Sequence, residues 1–100
     1  MPLRESRRAQ EDLCAIEDRI SVDSTAAAFR LIRAVRATYA RIARWPNSGR
    51  LLVPPDFRVA PVRSFPQYVV VWRVRPDRVD IYRVFHGGLD HLRVVGREGF

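Results

Sequence analysis

The sequence contains no lysine and only one cysteine among its 100 residues. A single cysteine, Cys14, excludes an intrachain disulfide and any metal site built from several cysteines, and it suits a reducing compartment. Because Cys14 lies in a helical pattern with no histidine nearby, we expect a small buried side chain rather than a reactive thiol.

Long apolar runs are also absent. The longest uninterrupted run, Tyr68 to Trp72, is far too short to cross a membrane. Residues 1–10 carry three arginines and lack the apolar stretch of a signal peptide. These absences predict a cytoplasmic protein.

Apolar residues make up 47% of the chain and aromatic residues 10%, which favours an ordered core over disorder. The length predicts a single domain spanning residues 1–100. All 18 basic residues are arginine, and the net charge is +7. Arginine binds carboxylate and phosphate in a bidentate way, so an acidic partner or a nucleic acid is expected, although a coding bias would also explain the missing lysines.

The first half of the chain has a helical pattern. Residues 1–6 could form one edge strand, and Ser6 is a candidate N-cap for a first helix over Arg7–Ile20. Ser24 is a natural N-cap for a second helix that ends near Trp45. Each helix carries one apolar stripe; the stripe of the second consists of Leu31, Ile32, Val35, Tyr39 and Ile42.

Four arginines fall on the opposite arc of the second helix. They are either the solvated face of an amphipathic helix or a nucleic-acid site, and the sequence leaves both open. These residues are Arg30, Arg33, Arg41 and Arg44.

The second half has an extended pattern. Strands are predicted over Phe57–Ser64, Tyr68–Arg75 and Arg78–Phe85, with a tight turn at Pro76 and Asp77. The predicted fold class is α+β: a short N-terminal strand and an antiparallel helical hairpin packed on a C-terminal antiparallel three-stranded β-meander.

The tight turn fixes an expected register for the last two strands. Arg73 should face Asp80 as an opposite-charge pair. The other pairs expected across this hairpin are Val74 with Val79, Trp72 with Ile81, Val70 with Arg83, and Tyr68 with Phe85.

In this register four apolar side chains lie on the sheet face away from the helices. We call Val69, Val71, Tyr82 and Val84 the outer strip. No further helix is predicted to cover them, and uncovered apolar patches mark partner sites. The alternative is that the tail, Leu92–Phe100, folds over them. Three arginines would rim the strip: Arg63, Arg73 and Arg75.

Three motifs, in this order and spacing, resemble the RelE/ParE toxin superfamily, and ParE most closely. They are Arg8-Ala9-Gln10-Glu11-Asp12-Leu13, then Trp45-Pro46-Asn47-Ser48-Gly49-Arg50, and then Phe65 to Val74 with Asp80 to Gly87. The resemblance implies a toxin paired with an acidic, ParD-like antitoxin. ParE-like members are described as poisons of DNA gyrase, whereas RelE-like members cleave messenger RNA on the ribosome.

The nuclease residues of RelE-like relatives are missing here. Their two arginines correspond to Val69 and Leu89, and no tyrosine follows Tyr82. Valine and leucine neither donate hydrogen bonds nor stabilise developing charge. The sequence therefore favours a binding protein over a ribonuclease, although Leu89 also departs from many ParE-like sequences and makes an inactive member conceivable. Arg93 is a candidate replacement.

No cofactor or metal is expected. His86 is interpreted as a structural turn residue rather than a proton shuttle. Asp90 and His91 are too crowded beside it to form a metal site. The residues expected to bind the antitoxin or the target are Arg63, Val69, Val71, Arg73, Arg75, Tyr82, Val84, His86 and Arg93.

Overall fold

Two helices lie between a short first strand and a run of four strands in the computed structural model, which describes residues 1–52 and 56–87. The elements are β1 Leu3–Glu5, α1 Arg7–Ser21, α2 Thr25–Arg44, β2 Arg50–Leu51, β3 Phe57–Val62, β4 Phe65–Val74 and β5 Val79–His86.

Both helices begin at the predicted N-caps. The Ser6 hydroxyl accepts a hydrogen bond from the Ala9 backbone N–H at 3.0 Å, and the Ser24 hydroxyl accepts one from the Ala27 N–H at 3.1 Å. These bonds satisfy N–H groups that have no partner inside the helix. The predicted apolar stripes face the sheet: α1 buries Leu13 among others, and the stripe of α2 is buried except for the partly exposed Ile32.

The sheet has five strands in the order β1-β5-β4-β3-β2. The predicted meander is confirmed as its antiparallel centre, and β1 is confirmed as an edge strand, pairing parallel with β5. The second edge strand, β2, is absent from the prediction because two residues are too few to show an alternating pattern.

The hairpin register is confirmed only near its turn. Val74 pairs with Val79 and Trp72 with Ile81 as expected, but the register then shifts. Val70 is opposite Val84 rather than Arg83, and Tyr68 is opposite His86 rather than Phe85, so those two predicted pairs are wrong. The reason is an extra residue in β5: Tyr82 has no opposite residue in β4, as in a β-bulge.

The bulge changes which side chains face the helices. Val84 packs in the core between sheet and helices, so its predicted place in the outer strip is wrong. On the other face a second cluster forms around Phe57, Val59, Val71, Tyr82 and Phe85. One inserted residue reverses the alternation beyond it, because neighbouring side chains in a strand point to opposite faces.

Asp12 joins α1 to the sheet at this bulge. Its carboxylate accepts two hydrogen bonds from the Arg83 guanidinium, at 2.8 and 2.9 Å, and one from the Val84 N–H at 3.0 Å. The pairing of β1 with β5 ends at Glu5 and Ile81, so Asp12 takes the place of a neighbouring strand beyond that point.

Arg73 and Asp80 are opposite each other as predicted, and each forms an ion pair with another residue. Arg73 pairs with Asp56 at 2.8 Å, whereas Asp80 pairs with Arg78 at 2.8 Å and with Arg75 at 3.2 Å. Arg78 reaches Asp80 because residues two apart in an extended chain share one face.

Cys14 is exposed, so its expected burial is wrong. The apolar stripe of α1 passes through Leu13 and Ile16, and Cys14 follows Leu13 by one residue. One residue is a rotation of about 100° around a helix, which turns the Cys14 side chain away from the core.

We expect Asp12→Ala to lower the free energy of unfolding by about 2–4 kcal/mol, because the change removes the carboxylate from a largely buried Arg83 and from the Val84 N–H. Equilibrium urea denaturation of the refolded chain measures this loss. Glu11→Ala, on the exposed side of the same helix turn, is the control and should change stability by less than about 0.5 kcal/mol. Equal effects of the two substitutions would contradict the role of Asp12.

Asp80 predicts a pH dependence of stability. Burial by itself raises the pKa of Asp80, but hydrogen bonds from Arg78 and Arg75 outweigh it and hold the pKa below its usual value. A lowered pKa contributes stability above the unfolded pKa of about 4, and this contribution is lost as pH falls through the folded pKa. Asp80→Asn should therefore destabilise the protein at pH 7 and progressively less below pH ~4.

Denaturation midpoints at several pH values test this. Asp77→Asn is the control, because the Asp77 side chain is 75% exposed and its 3.6 Å distance to Arg78 is longer than the 2.8 Å distance of Asp80. A gap between wild type and Asp80→Asn that stays constant with pH would refute the assignment.

Candidate functional site

The outer strip is not an exposed patch. Val71, Tyr82 and Val84 are 0–2% exposed, and only Val69 is partly accessible. The expectation of four uncovered apolar side chains is therefore wrong. The alternative, a tail over Leu92–Phe100 that folds across them, concerns residues outside the described part of the chain.

The face opposite the helices has its own small core. The rings of Phe57 and Tyr82 stack with centroids 5.1 Å apart, and Val71 packs beside them. Leu52 and Val69 contact this cluster and are partly exposed. Val71 and Tyr82, which were predicted to bind a partner, therefore lie beneath the surface, whereas Val69 is partly exposed on it.

Two of the three predicted rim arginines hold ion pairs. Arg73 pairs with Asp56 and lies 5.8 Å above the Phe57 ring, and Arg75 pairs with Asp80. Arg63 is exposed at the tip of the β3–β4 hairpin, where its backbone N–H donates to the Thr38 hydroxyl at 3.3 Å. Arg63 and Arg73 lie at opposite ends of β4, so the arginines do not form a rim around one patch.

His86 is exposed at the end of β5, opposite Tyr68 in β4. Its ring meets the Tyr68 ring edge to face, with centroids 4.9 Å apart. The next residue, Gly87, has a φ of 121° and donates its N–H to the Gln67 carbonyl at 2.8 Å. These contacts suit the structural role predicted for His86. Leu89, Asp90, His91 and Arg93 lie outside the described residues.

Val69 occupies the position where RelE-like nucleases are expected to carry an arginine. It is opposite Phe85 in β5 and Pro61 in β3, and it packs against the outer cluster. Its aliphatic side chain neither donates a hydrogen bond nor carries charge. Across residues 1–52 and 56–87, no three His, Cys, Asp or Glu side chains come close enough to hold a metal ion.

The turn after α2, residues 45–50, is fixed to β4 by contacts with Trp72, and we call it the clasp turn. The Trp72 indole N–H donates to the Pro46 carbonyl at 2.9 Å. Gly49 has a φ of 76°, and a Cβ there would lie 2.6 Å from the Trp72 ring. Only glycine fits this combination of backbone conformation and close approach. The Pro-x-x-Gly motif therefore serves the architecture, and Trp45 beside it remains 59% exposed.

The outer face of α2 carries the unpaired charge. The four arginines assigned to it from the sequence are exposed, and so is Arg36, which the sequence analysis left out. Within the described residues none of these five arginines forms an ion pair with a carboxylate. Phe29, also missed, is 63% exposed on the same face, and the helical spacing of residues 26, 29 and 33 could have revealed it.

No helix within residues 1–52 and 56–87 has the length and apolar character needed to cross a membrane.

Comparisons with known proteins agree with the fold and with the sequence motifs. The family model described as "ParE toxin of type II toxin-antitoxin system, parDE" matches residues 3–90. A solved structure, "Chromosomal ParDE TA system from P. aeruginosa", is similar with a TM-score of 0.77 and 21% identity, over 88% of this chain and 97% of that chain. No curated protein matches.

The structural likeness shows the shared fold, two helices on a mixed five-stranded sheet, and at this identity it shows nothing more. The family model covers most of the sequence, including the clasp turn and all seven elements. The chain therefore belongs to the ParE toxin family of type II toxin–antitoxin systems.

Proposed function

We propose that this toxin acts in the cytoplasm by binding a protein target, DNA gyrase, and that a cognate acidic, ParD-like antitoxin neutralises it. The observation that carries the proposal is the family match over residues 3–90. Val69 supports the same conclusion, because it puts an aliphatic side chain where a ribonuclease of the RelE type needs a cation.

Inhibition by binding, with no covalent bond made or broken, is consistent with the chemistry of the described surface. General acid–base catalysis needs a proton-moving group within hydrogen-bond reach of the substrate. The exposed His86 is held against the Tyr68 ring. This contact suits the structural role predicted for His86 better than that of a proton shuttle.

Antitoxin binding is supported by charge and by accessible backbone. A net charge of +7 accelerates encounter with an acidic partner. Both residues of the edge strand β2 are exposed, which leaves a strand-addition mode open at that side of the sheet. Among the predicted contacts Arg63 and His86 are exposed, and Val69, Arg73 and Arg75 are partly exposed. The buried Val71, Tyr82 and Val84 would act by holding the surface in shape.

Induction of this chain alone in a bacterial host should arrest growth, and co-expression of the acidic protein encoded beside it should restore growth. The purified toxin should inhibit DNA supercoiling by gyrase, and induced cells should show DNA-damage signalling while messenger RNA stays intact. Supercoiling assays and primer extension on cellular messages measure the two outcomes. Ordered cleavage of ribosome-bound messages without any effect on supercoiling would replace this proposal with a RelE-like nuclease.

Arg63→Glu should slow association with the antitoxin at low salt by roughly threefold to tenfold, because a charge at an interface acts mainly on the association rate. Stopped-flow measurement at two salt concentrations reports this rate. Arg7→Glu is the matched control: it makes the same change in net charge at an exposed residue at the start of α1. Equal slowing by both variants would mean that Arg63 acts only through the overall charge.

A further inference from the structure

The positive charge of this protein is concentrated on one helix. α2 contains five arginines and no acidic residue in its 20 residues, so it supplies +5 of the net charge of +7. All five arginines are exposed: Arg30, Arg33, Arg36, Arg41 and Arg44.

The arginines of the sheet are used differently. Arg73, Arg75, Arg78 and Arg83 each lie within ion-pair distance of an aspartate. Those of α2 have no carboxylate partner among residues 1–52 and 56–87. The fold therefore pairs these four arginines of β4, β5 and the turn between them internally, and it presents the arginines of α2 to solvent.

The spacing of these arginines lowers the stability of α2. Arg30 and Arg33, Arg33 and Arg36, and Arg41 and Arg44 are each three residues apart, and like charges at this spacing repel each other. Bound anions would relieve the repulsion. A row of phosphates would supply such anions, because the planar guanidinium group binds phosphate oxygens in a bidentate way.

An exposed aromatic ring lies near each end of the row. Phe29 has the Arg33 guanidinium 5.8 Å from its ring centroid, and Trp45 has that of Arg44 at 5.5 Å. The two aromatic residues are 16 positions apart, which is about 24 Å along a helix. Exposed rings among arginines form the stacking and electrostatic surface that nucleic acids prefer.

The same face is poorly suited to an acidic protein helix. An amphipathic segment needs an apolar groove for its own stripe. Between Phe29 and Trp45 the outer face of α2 offers only the small, exposed Ala37 and Ala40 beside the arginines. Small residues let a nucleic-acid backbone approach closely but bury little apolar area.

We propose that the outer face of α2 binds the phosphate backbone of nucleic acid without sequence preference. Binding at this face is separate from the accessible contacts proposed for the antitoxin, such as Arg63 and His86. It does not depend on which protein the toxin inhibits, so either conclusion stands if the other fails.

The test is fluorescence anisotropy of the purified full chain with a labelled duplex DNA and with a single strand of scrambled sequence. Binding should weaken steeply with salt, with a slope of log K against log salt near −3 to −4 for duplex, as expected when four or so phosphates are neutralised. Tighter binding to the duplex or to the single strand identifies the form held, and either result supports the proposal.

The triple variant Arg33→Gln, Arg41→Gln, Arg44→Gln should weaken binding at least tenfold and reduce the salt slope by about 2 units or more. The matched control, Arg4→Gln, Arg7→Gln, Arg63→Gln, removes the same charge from exposed positions elsewhere and should weaken binding no more than threefold. Lysine at positions 33, 41 and 44 should restore most of the binding, because lysine still provides a point charge for phosphate.

Three results would overturn the proposal. One is equal loss of binding in the two triple glutamine variants. Another is failure of the lysine variant to bind although its urea midpoint matches that of the wild type. The third is tighter binding to poly-glutamate than to either DNA, which would assign the face to an acidic protein.

Discussion

One carboxylate joins helix α1 to the sheet at the point where the sheet is irregular. Asp12 accepts hydrogen bonds from the Arg83 guanidinium and from the Val84 N–H, directly after the bulged residue Tyr82. The bulge sends Val84 toward the helices and Tyr82 to the other face. The side chains of β5 beyond the bulge depend on that register, and the contact between α1 and β5 lies at this position.

Two groups of arginines differ in their surroundings, one paired with aspartates within the fold and the other exposed on α2. In β4, β5 and the turn between them they pair with aspartates, and Arg73 also lies over the Phe57 ring. On α2 they project away from the core. Charge that is paired within the fold contributes to stability and little to recognition, whereas unpaired charge attracts partners. The surface of α2 is therefore the electrostatic feature most available for binding.

The family motifs mark architecture more than chemistry. In the Trp45–Arg50 segment, Pro46 receives the Trp72 indole N–H and Gly49 leaves room for the Trp72 ring. Such a motif identifies the fold but gives no information about the target. Function rests instead on what the surface offers, where Val69 is partly exposed and Arg63 and His86 are exposed.

The sequence by itself determined the elements, because the caps at Ser6 and Ser24, the apolar periods and the Pro76 turn are local signals. It also determined the family, through motifs in a fixed order. Tertiary structure decided the bulge at Tyr82, the pairing of Asp12 and the two-residue strand β2. These features arise from contacts between residues that are distant in the chain, and one extra residue in a strand leaves no trace in an alternating pattern whose two faces are both apolar.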